Sequence, residues 1–302
     1  MPAHFPAHVG QNFTPTTRAD IYPPTNPLLS DLSQPTKTVL ITGASRNIGR
    51  SIALRYAEAS VSRIVLVARG TTDGVAREIS AINPAVKVLQ ITADISEPAD
   101  VERAGREFSA WAGADARLDV LINNAGVLET RVPLCESEPA EWWKTWEVSI
   151  RGTYMMLRTF VPFVVATAEK RTGVPGTVIN MSSIGAHVAA PRMSAYQSSR
   201  FAVLRLSEFV EVEYGARGVN VHSLHPGAVA TDMTRKSAMV EEAEDFFIDT
   251  PELAAGFLVW LTHKNRSWLN GRYLNAEWDV DELEGMRKEI EGTDKLKMRM
   301  VV

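Results

Sequence analysis

Thr42-Gly43-Ala44-Ser45-Arg46-Asn47-Ile48-Gly49 has the residue types to hold a phosphorylated ligand. Small residues let a backbone approach a pyrophosphate closely. The segment leads from an apolar run into a helical pattern. A helix start there offers free N–H groups and the positive end of the helix dipole to an anion. A glycine-rich turn alone is also what an ordinary strand-to-helix turn looks like. Its place after the first strand of the chain raises it above that.

Short runs rich in β-branched residues alternate with helical patterns. Strands are predicted at 37–42, 62–68, 86–91, 118–123, 177–181, 219–224 and 272–275. Helices are predicted at 47–59, 71–82, 96–112, 138–168, 194–215 and 251–262. Apolar strands alternating with helices imply a parallel sheet covered on both faces. Right-handed crossovers then give an α/β fold, a single doubly wound Rossmann-like domain with about seven strands. Its ligand crevice lies at the carboxyl ends of the strands, and each motif below follows a strand.

The chain has 302 residues, enough for a large core. A net charge of −4 gives no global basic field for nucleic acid or an anionic membrane. No apolar run reaches the roughly 20 residues of a membrane span. Cys135 is the single cysteine, so no internal disulfide forms, as expected of a reducing, cytoplasmic setting. Residues 1–36 lack a signal-peptide pattern and are rich in Pro, Thr and Asn. Such a segment cannot fold alone, so it is read as an arm, mobile or laid over the domain. The domain is expected to span 37–278 and the charged tail 279–302, helical at first from Asp279 to Glu291.

On its motifs the chain resembles the short-chain dehydrogenases. The loop is similar to their T-G-x-x-x-G-x-G segment, with Asn47 in place of the middle glycine. Asparagine is the non-glycine residue most tolerant of left-handed backbone. Asp94-Ile95 resembles the family's adenine-contacting pair. Asn123-Asn124-Ala125-Gly126 matches its N-N-A-G motif, and Pro226-Gly227-Ala228-Val229-Ala230-Thr231 resembles the P-G-x-x-x-T segment that holds the nicotinamide carboxamide. The resemblance spans about 38–276. It implies that Gly43, Ser45, Arg46, Asn47, Ile48, Gly49, Arg69, Asp94, Ile95, Asn124, Ala125, Gly126, Tyr196, Arg200, Pro226, Gly227, Val229 and Thr231 border a nicotinamide dinucleotide. NAD-binding members place an acid at the end of the second strand, for the ribose 2′-hydroxyl. Ala68-Arg69 stands there instead, and Arg46 can approach the same place. Two guanidiniums suit a 2′-phosphate, so NADP(H) is expected.

The resemblance also assigns the chemistry. Tyr196, thirteen positions after Ser183, takes the place of the tyrosine that gives a proton to, or takes one from, a substrate oxygen, and Ser183 bonds that oxygen. A free tyrosine titrates near 10, so it needs a neighbouring cation. The family uses lysine four residues on; here it is Arg200. Arginine keeps the charge but is bulkier and is never deprotonated. The family's helix asparagine, which holds a relay water, is here Ser149 in Ser149-Ile150-Arg151-Gly152. The expected function is an NADP(H)-dependent oxidoreductase that interconverts a carbonyl and an alcohol on a small, fairly apolar molecule. The two replacements leave other readings open: non-redox chemistry by an isomerase, dehydratase or cyclase, or noncatalytic dinucleotide binding.

Other residues invite plainer readings. Trp142, Trp143 and Trp146 are expected in the core or at a subunit interface. The helices 138–168 and 194–215 form that interface in many members of the family, so a homodimer or tetramer is expected. His187 either borders the substrate or is a plain loop residue. His222 and His225 have no ligand partners nearby in sequence, so no metal is expected. Cys135 is not read as a nucleophile, and Tyr214 and Tyr273 lack the context of Tyr196. Residues 232–250 stand in place of the family's substrate loop. Met233, Met239, Phe246 and Phe247 within it suit a lid, although a solvated helix would fit its acids equally.

Overall fold

The computed structural model describes residues 6–171 and 173–300. Seven strands form one parallel sheet: β1 (Thr38–Thr42), β2 (Arg63–Ala68), β3 (Lys87–Thr92), β4 (Val120–Asn123), β5 (Gly176–Met181), β6 (Val219–His225) and β7 (Arg272–Asn275). Their order is β3-β2-β1-β4-β5-β6-β7. The order reverses between β1 and β4, which pair in register Val39↔Val120 to Ile41↔Ile122. A doubly wound sheet opens its ligand crevice at this point.

Side chains of β1 alternate between two buried layers. Val39 and Ile41 face one and Leu40 the other. The first layer takes in α1 (Asn47–Glu58) and α9 (Pro251–His263), with Ile52, Tyr56, Phe257 and Leu258 at its centre. The second takes in α3 (Pro98–Ala112) and α5 (Thr153–Glu169), through Phe108, Phe160 and Val164. The central strands are apolar on both faces because both faces are covered, whereas the edge strand β3 exposes Lys87, Gln90 and Thr92. The remaining helices are α2 (Asp73–Ile82), α4 (Pro139–Trp146), α6 (Ser194–Tyr214), α7 (Asp232–Lys236), α8 (Met239–Glu242), α10 (Val280–Gly285) and α11 (Arg287–Ile290).

Two expected helices are interrupted. The one predicted over 138–168 changes to a π turn at Glu147–Gly152, between α4 and α5. A Cβ on Gly152 would lie 2.9 Å from the Ile95 side chain, so glycine lets this turn press on the chain after β3. The tail helix expected from Asp279 to Glu291 is split at Met286. The Asp279 carboxylate caps α10 by accepting from Asp281 N and Glu282 N.

The proline-rich arm lies over the domain. Arg18 pairs with Asp279 at 2.6 Å, and Thr16 Oγ1 donates to Glu282 at 2.7 Å. Trp278, with no exposed surface, donates from its indole to the carbonyls of Gly10 and Gln11. Ile21 packs so close to α9 that a Cβ on Gly256 would meet it at 2.8 Å. Among the described residues, no helix is long and apolar enough to cross a membrane.

Candidate active site

The loop after β1 has the geometry its composition requires. Gly43 (φ +66°) and Asn47 (φ +47°) are both left-handed, the second at the position where asparagine replaces glycine. A Cβ on Gly49 would sit 2.2 Å from the Gly43 carbonyl oxygen, so only glycine lets α1 start this close to β1. No side chain caps α1 at Arg46. Its first N–H groups therefore face the crevice as donors, an arrangement that suits a diphosphate. Thr42 fastens the crevice from below: its Oγ1 accepts from Asn124 N at 2.9 Å and Ala125 N at 3.0 Å.

Above this loop lies a cavity of about 350 Å³. Gly43, Ser45, Arg46, Asn47, Ile48, Gly49, Arg69, Asp94, Ile95, Asn124, Ala125, Gly126, Tyr196, Arg200, Pro226 and Thr231 all line it. Arg46 lies 3.3 Å from Asp232 and Arg69 4.0 Å from Asp94, and both guanidiniums are more than half exposed. Such pairs are weak, so both cations can turn to an anionic ligand. Burial opposes ionisation of Asp94, but hydrogen bonds from Ser96, with the charges of Lys144 and Arg69, hold its carboxyl below the usual range.

A second cavity, of about 510 Å³, meets the first at Ile48, Tyr196, Pro226, Thr231 and Met233. Ser183, Gly227 and Val229 line this second cavity and not the first. Met233, Met239, Phe246 and Phe247 from the segment 232–250 also line it, while Glu241, Glu244 and Asp245 are exposed. The segment thus covers the cavity with its apolar side. Its far end is tied down at Asp249, whose carboxylate accepts from Ala228 N at 2.5 Å. Burial first, and then the nearby Glu277, push the Asp249 carboxyl up to about 7.

Tyr196 stands in the first turn of α6, where the two cavities join. Ser183 accepts from Gly185 N at 3.0 Å through Oγ, so its own proton is left for a ligand oxygen. Arg200 is 4 % exposed, its guanidinium carbon 4.9 Å from the centre of the Tyr196 ring. Its Nη1 donates to the Met181 carbonyl at 3.0 Å, and its buried Nε has no partner among the described residues. A Cβ on Gly126 would lie 2.2 Å from Arg200 Nη2, so this glycine makes room for the bulkier cation. Together these groups can polarise a ligand oxygen and exchange a proton with it. Ser149 borders neither cavity: it is fully buried in the π turn, and its Oγ has no partner among the described residues.

One functional side chain escaped the sequence analysis. Glu129, 6 % exposed, accepts from Ala195 N at 2.9 Å and from Tyr196 N at 3.0 Å. Met193, at the N-cap of α6, makes no capping bond itself. Glu129 therefore caps the tyrosine's helix from a distant loop, and leaving those two N–H groups unmet would cost about 2 kcal/mol. An acid three residues past Gly126 was the only signal, and sequence distance hides its target.

His187 borders neither cavity but packs edge-on against Tyr273, ring centres 4.3 Å apart. His225 lines the apolar cavity instead. Trp142 stacks on Trp146 at 5.8 Å and donates to Ser194 Oγ, while Trp143 is exposed. Cys135 is exposed on a loop and lines neither cavity.

The family model for short chain dehydrogenase matches residues 37–242. The short chain dehydrogenase mpl6 of Monascus purpureus is 40 % identical over 303 residues, covering 99 % of each chain. A solved structure from Beutenbergia cavernae, described as an NAD(P)-dependent gluconate 5-dehydrogenase with NADP at low occupancy, is 26 % identical with a TM-score of 0.71. It covers 82 % of this chain and 98 % of its own. The 3-ketoacyl-(acyl-carrier-protein) reductase of Brucella melitensis, complexed with NADH, is 26 % identical with a TM-score of 0.69 over 81 % of this chain and 97 % of its own.

Proposed function

The chain belongs to the short chain dehydrogenase family, and from that premise we propose that it is an NADP(H)-dependent oxidoreductase. It interconverts a carbonyl and an alcohol on a small, fairly apolar molecule. The observation that carries this reading is the position of Tyr196, at the junction of the two cavities with Ser183 on one wall and Arg200 behind its ring. A nicotinamide dinucleotide held by Gly43, Gly49, Asn124 and Thr231 would supply or accept the hydride. Ser183 donates a hydrogen bond to the substrate oxygen. Tyr196 passes its proton to that oxygen in reduction and takes one back in oxidation. Arg200 packs behind the Tyr196 ring and, as a permanent cation, cannot relay a proton itself.

The uncapped α1, Gly43, Gly49 and Asn124 form a cradle that fits a dinucleotide diphosphate. Arg46 and Arg69 favour the 2′-phosphate of NADP(H). Titration of the purified protein tests this. NADPH binds more tightly than NADH, and the double replacement Arg46→Ala with Arg69→Ala weakens NADPH by about 10- to 100-fold while leaving NADH unchanged. Equal affinity of the unaltered protein for both nucleotides would refute the assignment. Non-redox chemistry and a noncatalytic role have less support, because the relatives reported above are named dehydrogenases or reductases.

We also propose a cytoplasmic homo-oligomer. Tyr154 on α5 and Phe201, Phe209 and Val212 on α6 are 45–76 % exposed, a set of large apolar side chains that a second copy would cover. Sedimentation at micromolar concentration gives a dimer or tetramer; a monomer there would exclude the assembly.

A further inference from the structure

We propose that residues 6–18 are a specificity strap: through Pro6 they close one end of the apolar cavity and shape it for apolar, ring-bearing carbonyl compounds and their alcohols. The substrate class rests on the reading of Tyr196 given above; the wall itself does not.

The strap is additional to the fold. The family match begins at residue 37. The Beutenbergia structure is matched over 98 % of its own length but covers only 82 % of this chain, so part of this chain has no counterpart there. In this protein, Pro6 lines the same cavity as Ser183, Tyr196 and Phe247. Ala7–Val9 form one helical turn that buries Val9, and the chain bends away at Gly10 (φ +73°), a left-handed position suited to glycine.

The strap is fastened, not merely adjacent. Trp278 Nε1 donates to Gly10 O at 2.9 Å and Gln11 O at 3.1 Å, and the Phe13 ring lies 5.1 Å from the Trp278 ring. Arg18 and Thr16 pair with Asp279 and Glu282. These bonds join the arm to the chain just after β7, and Val9 N, donating to Pro6 O at 3.0 Å, ties Pro6 to the fastened stretch.

The other walls indicate what fits. Met233, Met239, Phe246 and Phe247 offer thioethers and ring faces, which pack well on flat rings. Arg131 and Glu242 on the wall pair with each other at 2.8 Å. His225 is held neutral by burial. A charged group set against these Met and Phe side chains would lose its hydration. The volume of about 510 Å³ suits a molecule of drug-like size.

The test uses the full chain and acetophenone, 2-acetylnaphthalene and 2-acetylanthracene, with NADPH as reductant. Pro6→Trp fills the strap end of the cavity. It raises KM for the anthracene ketone at least tenfold, leaves that for acetophenone within about twofold, and leaves NADPH affinity unchanged. The uncharged dye N-phenyl-1-naphthylamine reads the cavity without turnover, and Pro6→Trp weakens its binding at least tenfold. If no ketone is reduced but the dye responds in this way, the wall stands and the reductase reading fails. If dye affinity is unchanged, the strap proposal is overturned. If Pro6→Trp does not fold, hydrogen exchange of the unaltered protein decides: the dye slows amides 7–13, and no slowing overturns the proposal.

Discussion

Replacing Tyr196 by phenylalanine lowers kcat by about 10²- to 10⁴-fold and leaves NADPH affinity within a few-fold. The substitution removes one oxygen. The ring remains, so the contact with the Arg200 guanidinium at 4.9 Å and the burial of that cation persist. The start of α6 persists too, because Glu129 holds it through backbone N–H groups that the variant keeps. What disappears is the proton that compensates charge on the substrate oxygen. Ser183 alone can then give a hydrogen bond but not a proton transfer, so loss falls on turnover and not on nucleotide binding. Steady-state rates of NADPH oxidation, with nucleotide affinity measured separately, check this. Turnover within tenfold of the unaltered protein would remove Tyr196 from the chemistry and return attention to non-redox readings.

The sheet, the glycine loop and the long-range contacts of the site were not equally legible in the sequence. The central strands could be read because they are short apolar runs buried on both faces, whereas the edge strand β3 is largely exposed and β7, with the predicted ends Arg272 and Asn275, carries polar residues. The glycine loop could be read because sterics restrict it: Gly49 has no room for a side chain, and Asn47 adopts the left-handed geometry expected of its type. Contacts between distant segments carry no such local mark. Glu129 reaching α6, Pro6 reaching the cavity and Asp249 clasping Ala228 each join elements far apart in the chain. The π turn at Glu147–Gly152 was hidden for another reason: it keeps a helical apolar pattern and changes only the hydrogen-bond partner. Gly227 and Val229, which the resemblance sets beside the nicotinamide, line the apolar cavity next to Pro226 and Thr231, where the two cavities join, Gly227 (φ +92°) turning the chain where Asp249 leaves no space for a Cβ.

Acid should unfold this protein earlier than its modest net charge suggests. Stability falls by about 3 kcal/mol for each pH unit between 6.5 and 4. Burial holds His222 and His187 down to about 4 and His225 down to about 3, against 6.5 in the unfolded chain. Between those values the unfolded state binds protons that the folded state refuses, so stability drops as pH falls through the window. Glu277, 3.7 Å from His225, is too far for a hydrogen bond, and burial pushes its own carboxyl up, so it gives the ring little counter-charge. Asp249 acts in the opposite sense. Its folded value of about 7 exceeds the unfolded 3.8, so the folded state gains a proton as pH falls and stability rises. Asp249 offsets one of the three histidines; Glu277 and Glu58, raised less by burial, act in its sense and His263, lowered less, acts with the other histidines, which leaves a net difference of about two protons, each worth about 1.4 kcal/mol per pH unit. Two units of acidification then remove roughly 5 kcal/mol, comparable with the whole stability of many domains. Urea unfolding followed by tryptophan fluorescence at pH 7, 6 and 5 gives the slope. His222 is fully buried, with Nδ1 3.0 Å from the Leu269 carbonyl. Asparagine can keep that hydrogen bond without titrating, so His222→Asn reduces the slope by about one proton. A midpoint that stays constant from pH 7 to 5 would mean that these imidazoles reach water or a counter-charge in the folded state.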